Sequence, residues 1–128
     1  MKEPTIMRPD LNQEFYEALL RAERARLEQM EQELEEKSRH ANDSLEAYSE
    51  ADDVPADSAA LAAERERDQM LVANIQQTLG QIDFALDRIS DGDYGICEIC
   101  GVEVPEDRLE RIPWASTCVD CQSDLEEG

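Results

Sequence analysis

The sequence predicts a mainly α fold in which a long antiparallel helical hairpin is followed by a small unit organised by four cysteines. Three observations predict it. From Asp10 to Tyr48 there is no glycine or proline, and Glu, Ala, Arg, Leu and Gln dominate, the usual filling of long helices. Between Val72 and Ile89 apolar residues recur at alternating spacings of three and four. Near the end, two C-x-x-C pairs stand 17 residues apart. With 34% of residues charged and only 5% aromatic, the chain reads as a small domain with an extended helical appendage and not as one compact globule.

Taken in order, Pro9-Asp10 opens the first helix. Asp10 is its expected cap, with Gln13 three residues on in a variant of the capping box. Leu20, Leu27, Leu34, Ala41 and Tyr48 then fall every seven residues on one face. The second apolar position of each heptad is poorly kept, Met30 and Leu45 being its best members, so the seam is weakly specified. Ser49-Glu50-Ala51-Asp52-Asp53-Val54-Pro55 breaks the pattern, and a connection this short makes the flanking helices antiparallel neighbours. The second helix restarts at Asp57 or Ser58, either of which can be its N-cap, and ends near Ser90-Asp91-Gly92, where Gly92 suits a left-handed terminating position.

Val72, Ile75, Leu79, Ile82, Leu86 and Ile89 form a cleaner stripe than the first helix carries. Upstream of Met70 it fades into Ala59 to Ala63 and Glu64-Arg65-Glu66-Arg67. The hairpin is therefore expected to be well packed at its base and thin towards its turn. Arms of roughly 35 residues at ~1.5 Å per residue would reach about 50 Å. The implied division is residues 1–92 for the N-terminal segment and hairpin, with an acidic tip near 49–57, and residues 93–128 for the cysteine unit.

The formal net charge of −20 makes direct DNA or RNA binding a poor expectation, because such a surface repels phosphate backbones, and it disfavours docking on anionic membranes. A basic protein surface or a cation is the expected partner. Residues 1–10 carry no apolar run resembling a signal peptide, and no stretch approaches the length of a membrane span, so a cytoplasmic location is expected. In a reducing compartment four paired cysteines point to metal before disulfides.

Cys97-Glu98-Ile99-Cys100 and Cys118-Val119-Asp120-Cys121 have the spacing of two zinc knuckles, with Gly101 helping the first to turn. Four thiolates leave no open coordination position, so the expected ion is one structural zinc and not a Lewis acid. A redox C-x-x-C would sit beside a β-α-β pattern, which is not visible. Nor does the sequence show a nucleophile–base constellation, so the chain does not read as an enzyme. Val102, Val104, Leu109, Ile112 and Trp114 are the expected packing residues of the finger. With so little apolar material, most of its folding free energy should come from the metal, on the order of 10 kcal/mol in comparable peptides.

No Lys or Arg lies between Arg39 and Arg65, whereas Asp43, Glu46, Glu50, Asp52, Asp53 and Asp57 do. Carboxylates at a narrow tip can reach a bound Mg²⁺ or a basic side chain in a partner's cavity. Equally, Asp57 can cap the second helix, with Asp52 and Asp53 as solvated loop residues. His40 reads as an exposed helical residue.

A helical hairpin followed by a four-cysteine finger, with Asp91-Gly92-Asp93-Tyr94-Gly95-Ile96-Cys97-Glu98-Ile99-Cys100-Gly101 at the junction, resembles the DksA/TraR family of bacterial transcription factors. The resemblance continues through Arg108-Leu109-Glu110, Pro113 and Cys118-Val119-Asp120-Cys121. At the tip, Pro55-Ala56-Asp57-Ser58-Ala59 is similar to the family's Asp-Pro-Val-Asp-Arg-Ala motif. The resemblance implies a monomeric factor that binds RNA polymerase and not DNA, inserting its coiled coil into the secondary channel. Asp57, with Asp53 beside it and Ala59 as packing neighbour, would then approach the catalytic Mg²⁺ and destabilise open promoter complexes. The finger and hairpin base would brace the channel rim.

Two departures qualify what is implied. The earlier aspartate of the tip motif falls on Val54, one residue from Asp53, and Ser58 replaces the arginine. Many members also bind guanosine tetraphosphate through basic residues near the finger; the matching positions here are Gln81, Ile112 and Gln122, so dependence on that nucleotide is expected to be weak or absent. Two other readings stay open. One is a Gre-like stimulator of transcript cleavage, and the other a zinc-containing coiled-coil adaptor that never enters polymerase.

Overall fold

The computed structural model describes residues 6–49 and 58–127. Among them are four helices, α1 (Gln13–Ser49), α2 (Ser58–Asp91), α3 (Glu106–Arg111) and α4 (Val119–Glu127), and one isolated antiparallel bridge between Ile96 and Glu103. No described helix is long and apolar enough to cross a membrane.

The first helix starts later than the capping box predicts. Asn12 is the cap: its Oδ1 accepts the Phe15 amide at 3.1 Å, and its carbonyl accepts the Tyr16 amide at 3.2 Å. Asp10 is instead engaged by Arg8, whose Nε and Nη2 donate to its two carboxylate oxygens at 3.1 and 3.0 Å. Two short polar residues compete for the cap, and the one whose charge meets a guanidinium gives it up. At the far end of α2 the expected stop is present. Gly92 takes φ +85° and the Asp93 amide returns to the Arg88 carbonyl at 2.8 Å, closing the last turn.

Contacts divide the chain into two units, one of Met1–Arg24 with Thr78–Gly128 and one of Ala25–Gln77. Within the second unit Leu27 and Ile75 are buried, whereas Leu34 and Val72 are only half-buried. Beyond them Ser38 and Asp68 occupy the seam, where leucines would fill it. Two cavities result, of about 180 Å³ beside Leu34 and Val72 and about 30 Å³ beside Leu61 and Arg65, both touching Ser38 and Asp68. Lys37 bridges the two helices there, its Nζ 2.6 Å from Glu64 and 3.1 Å from Asp68. The thinning read from the heptads is thus physical.

The first unit holds the better core. Leu20, Ile82 and Ala85 are buried between α1 and α2, and Arg24 pairs with Asp83 at 2.8 Å. Leu11, Tyr16, Tyr94, Val104 and Leu109 join this core, so the cysteine unit shares apolar burial with the helices. Of its five expected packing residues only Val104 and Leu109 are fully buried. Ile112 and Trp114 are half-buried, and Val102 is 49% exposed. Two tyrosines do the work expected of them. Tyr16 and Tyr94 sit with ring centroids 5.5 Å apart, and the Tyr94 hydroxyl donates to the Pro113 carbonyl at 2.7 Å.

Candidate metal centre

Each C-x-x-C pair is shaped by its own backbone. In the first, the Cys97 amide donates to the Val102 carbonyl at 2.8 Å and the Gly101 amide to the Cys97 carbonyl at 3.0 Å. Gly101 closes this turn at φ +79°, a region that favours glycine. Behind it the Val104 amide reaches the Gly95 carbonyl at 2.8 Å, and the Ile96–Glu103 bridge holds the two limbs together. In the second, Cys118 precedes α4 and Cys121 lies in its first turn. The Cys121 amide donates to Cys118 Sγ at 3.4 Å and the Gln122 amide to the Cys118 carbonyl at 2.9 Å. The Glu98 amide, donating to the Ser116 carbonyl at 2.8 Å, ties one knuckle to the other.

Arginines complete the frame. Arg8, 3% exposed, donates from Nη1 to the carbonyls of Gly95 and Val104 at 2.7 and 2.8 Å. Arg88 of α2 donates from Nη2 to the carbonyls of Asp93, at 2.9 Å, and Ile96, while its guanidinium stands over the Phe84 ring. Arg108 of α3 donates to the Thr117 carbonyl at 3.2 Å. The sequence carries no signal for the burial of Arg8; only the nearby Asp10 hints at a pairing.

The four sulfurs of Cys97, Cys100, Cys118 and Cys121 all lie within 4.8 Å of one another. Cys100 and Cys118 are 3.7 Å apart, too far for a bond. Four sulfurs at ~2.3 Å from one centre would be ~3.8 Å apart along each tetrahedral edge, so the cluster has the size of a zinc–tetrathiolate.

Protonation agrees. Burial alone would push the Cys97 thiol up, but the amides of Cys100, Cys118 and Ile99 outweigh it and bring it down to about 6. Cys121 moves the other way, raised chiefly by hydrogen bonding with Cys118 and then with Cys100. Cys100 is also raised: the Val102 amide lowers it, but the sulfurs of Cys97 and Cys118 prevail. Four adjacent thiols cannot all ionise unless a cation compensates them, and a divalent ion supplies that compensation.

Residues 92–127 match the family described as "Prokaryotic dksA/traR C4-type zinc finger". The chain carries a DksA/TraR zinc finger. It takes one structural zinc, and the four clustered cysteines are the thiols placed to hold it. The chain is 37% identical over 76 residues to General stress protein 16O of Bacillus subtilis, an alignment spanning 59% of this chain and 47% of that one. It is 39% identical over 59 residues to the RNA polymerase-binding transcription factor DksA of Escherichia coli, spanning 46% of this chain and 34% of that one. An uncharacterized protein of Aquifex aeolicus is 53% identical over 49 residues, 34% of its length. The matches thus span half or less of these relatives. The structure of transcription factor DksA2 from Pseudomonas aeruginosa superposes with a TM-score of 0.70 at 27% identity, covering 90% of this chain and 83% of that one. The DksA-like fold of a helical hairpin followed by a C4 finger is therefore present.

Of the other residues singled out in the sequence, Ala59 lies exposed in the first turn of α2. Asp53 and Asp57 lie outside the described residues. Gln81, Ile112 and Gln122 come together around a cavity of about 260 Å³ that Arg108, Trp114 and Thr117 also line. Several of its polar groups engage one another. Thr117 Oγ1 pairs with Gln122 Oε1 at 2.8 Å, Gln122 Nε2 with Glu126 at 3.2 Å, and Arg108 with the Thr117 carbonyl.

Proposed function

We propose that this chain is a bacterial transcription regulator that binds RNA polymerase in its secondary channel. The acidic hairpin tip, with Asp57 as the acting residue, Asp53 as a further tip carboxylate and Ala59 as the neighbour of Asp57 in the motif, approaches the catalytic Mg²⁺, while the zinc finger braces the hairpin base. The division of labour follows residues 1–92 and 93–128. One observation carries this reading: a DksA/TraR finger and a helical hairpin occur together in a chain that superposes over 90% of its length on transcription factor DksA2. The net charge of −20 supports a protein surface and not nucleic acid as the target. The regulator itself is a cytoplasmic monomer without enzymatic activity.

Guanosine tetraphosphate has little effect in this reading. A tetra-anion needs several positive charges, and the cavity lined by Gln81, Ile112 and Gln122 has a single cation, Arg108, with the Glu126 carboxylate in the same lining.

The test is binding to core polymerase and open-complex lifetime at a ribosomal promoter, for wild type and Asp57→Asn, with and without the nucleotide. Retained binding with loss of the effect in Asp57→Asn is expected, since the change removes charge at nearly constant shape, and the nucleotide should alter neither protein's effect several-fold. Stimulated transcript cleavage would instead indicate a Gre-like activity. Failure to bind core polymerase would leave the adaptor role.

A further inference from the structure

We propose that Arg8 is a positioning residue of the zinc site, holding the limbs of the first knuckle at metal-binding separation, so that the segment at residues 7–11 sets the site's affinity for zinc.

The two carbonyls that share Arg8 Nη1 are not arbitrary. Gly95 leads into the Cys97–Cys100 knuckle and Val104 leads out of it, and the two residues are themselves joined by the Val104 amide. One nitrogen therefore closes the mouth of the loop that carries two of the four sulfurs. The arginine is held from behind by Asp10 and sits near Glu103, 3.9 Å away. Its segment is pinned along the backbone as well. The Met7 amide donates to the Gly92 carbonyl at 2.9 Å, and Gln13 Nε2 donates to the Arg8 carbonyl at 3.1 Å.

The finger is cut to receive this segment. Gly95 takes φ +89°, and a Cβ there would stand 2.7 Å from Leu11 Cδ1 and 3.2 Å from both Cγ and Nη1 of Arg8. A side chain there would be strained at this φ and would press on Leu11 and Arg8, so a bare α-carbon suits the meeting of the two surfaces. Without Arg8 the Gly95 carbonyl keeps only the Val104 amide and the buried Val104 carbonyl loses its charged donor, a costly change that loosens the limbs before metal arrives, so binding must then reorder them. With Arg8 in place the ordering is done beforehand.

The experiment is zinc competition against a chromophoric chelator for the full-length wild type, Arg8→Met, Arg8→Lys and Asp10→Asn, with helix content followed by circular dichroism. Arg8→Met is expected to weaken zinc binding by about tenfold or more, since it removes two buried charged hydrogen bonds. Arg8→Lys keeps one nitrogen for the carbonyls and should recover part of the loss. Asp10→Asn, a change at an exposed carboxylate with little risk to folding, should weaken binding by roughly two- to fivefold. Once loaded with cobalt, all four should give the same tetrahedral thiolate spectrum. In zinc-free wild type the amides of Cys97 and Val104 should be protected from hydrogen exchange, and that protection should vanish in Arg8→Met. Equal zinc affinity across the series overturns the proposal, as does an absence of protection in the zinc-free wild type. Neither measurement involves polymerase, so the result is independent of the functional reading above.

Discussion

Tyr16 and Tyr94 are each about 1% exposed, and burial governs how they ionise. Desolvation, aided by the nearby Glu106 carboxylate, raises Tyr16 to about 12, and desolvation raises Tyr94 further. A folded-state value above the unfolded one stabilises fully below pH ~10 and is lost as pH climbs through the folded value. Phenolate absorbance from these two rings is therefore expected only above pH ~10, together with loss of structure. Tyr16→Phe and Tyr94→Phe should remove that late component; ordinary titration with intact helices would contradict it. The clustering of the four thiols was legible at this scale because C-x-x-C spacing is a local constraint. The tyrosine pair and the Arg8 brace were not, since each joins residues that the sequence keeps far apart. The choice of Asn12 over Asp10 as cap turned on a guanidinium contact that no spacing rule encodes.

Among the elements, α2 offers the cleanest test. Gly80 lies on its exposed face with nothing within 4 Å of where a Cβ would stand. Gly80→Ala should therefore stabilise the protein by about 0.5–1 kcal/mol, through backbone entropy and without new contacts, as a rise in the thermal midpoint. A fall would mean that the open face is covered in solution. The heptad pattern located Leu20, Leu27, Ile75 and Ile82 correctly because burial on a helix is periodic. It passed over Ala85, 2% exposed, since a small residue adds little to an apolar stripe although it admits close helix approach. It also foresaw the poor outer seam, and the cavities around Ser38 and Asp68 are what that weakness looks like in three dimensions.

For the molecule as a whole, the division into units predicts how it comes apart. All four thiols belong to the unit of Met1–Arg24 and Thr78–Gly128, whereas Ala25–Gln77 holds none. Strong chelation should lower the thermal midpoint and change the emission of Trp114, the single tryptophan, while most helical signal persists at room temperature. An unchanged midpoint would remove zinc from the account. The fold class was legible because hairpin and finger each have a strong local signature. Their shared core was not, for it depends on α1, the residues before it and the finger meeting in space. The expectation that most of the finger's folding free energy comes from the metal leaves this core out, since Tyr94, Val104 and Leu109 are buried in common with Tyr16 and Leu11.

The hydrogen bonds from Arg8 to Gly95 and Val104 join residues 87 and 96 positions apart. Contacts of that span form late, after shorter loops have closed, and here the intervening chain is the hairpin itself. On the proposed role of Arg8, metal uptake should follow helix pairing. A lesion that slows closure of α1 on α2 would show up as delayed zinc loading, although no ligand had been touched.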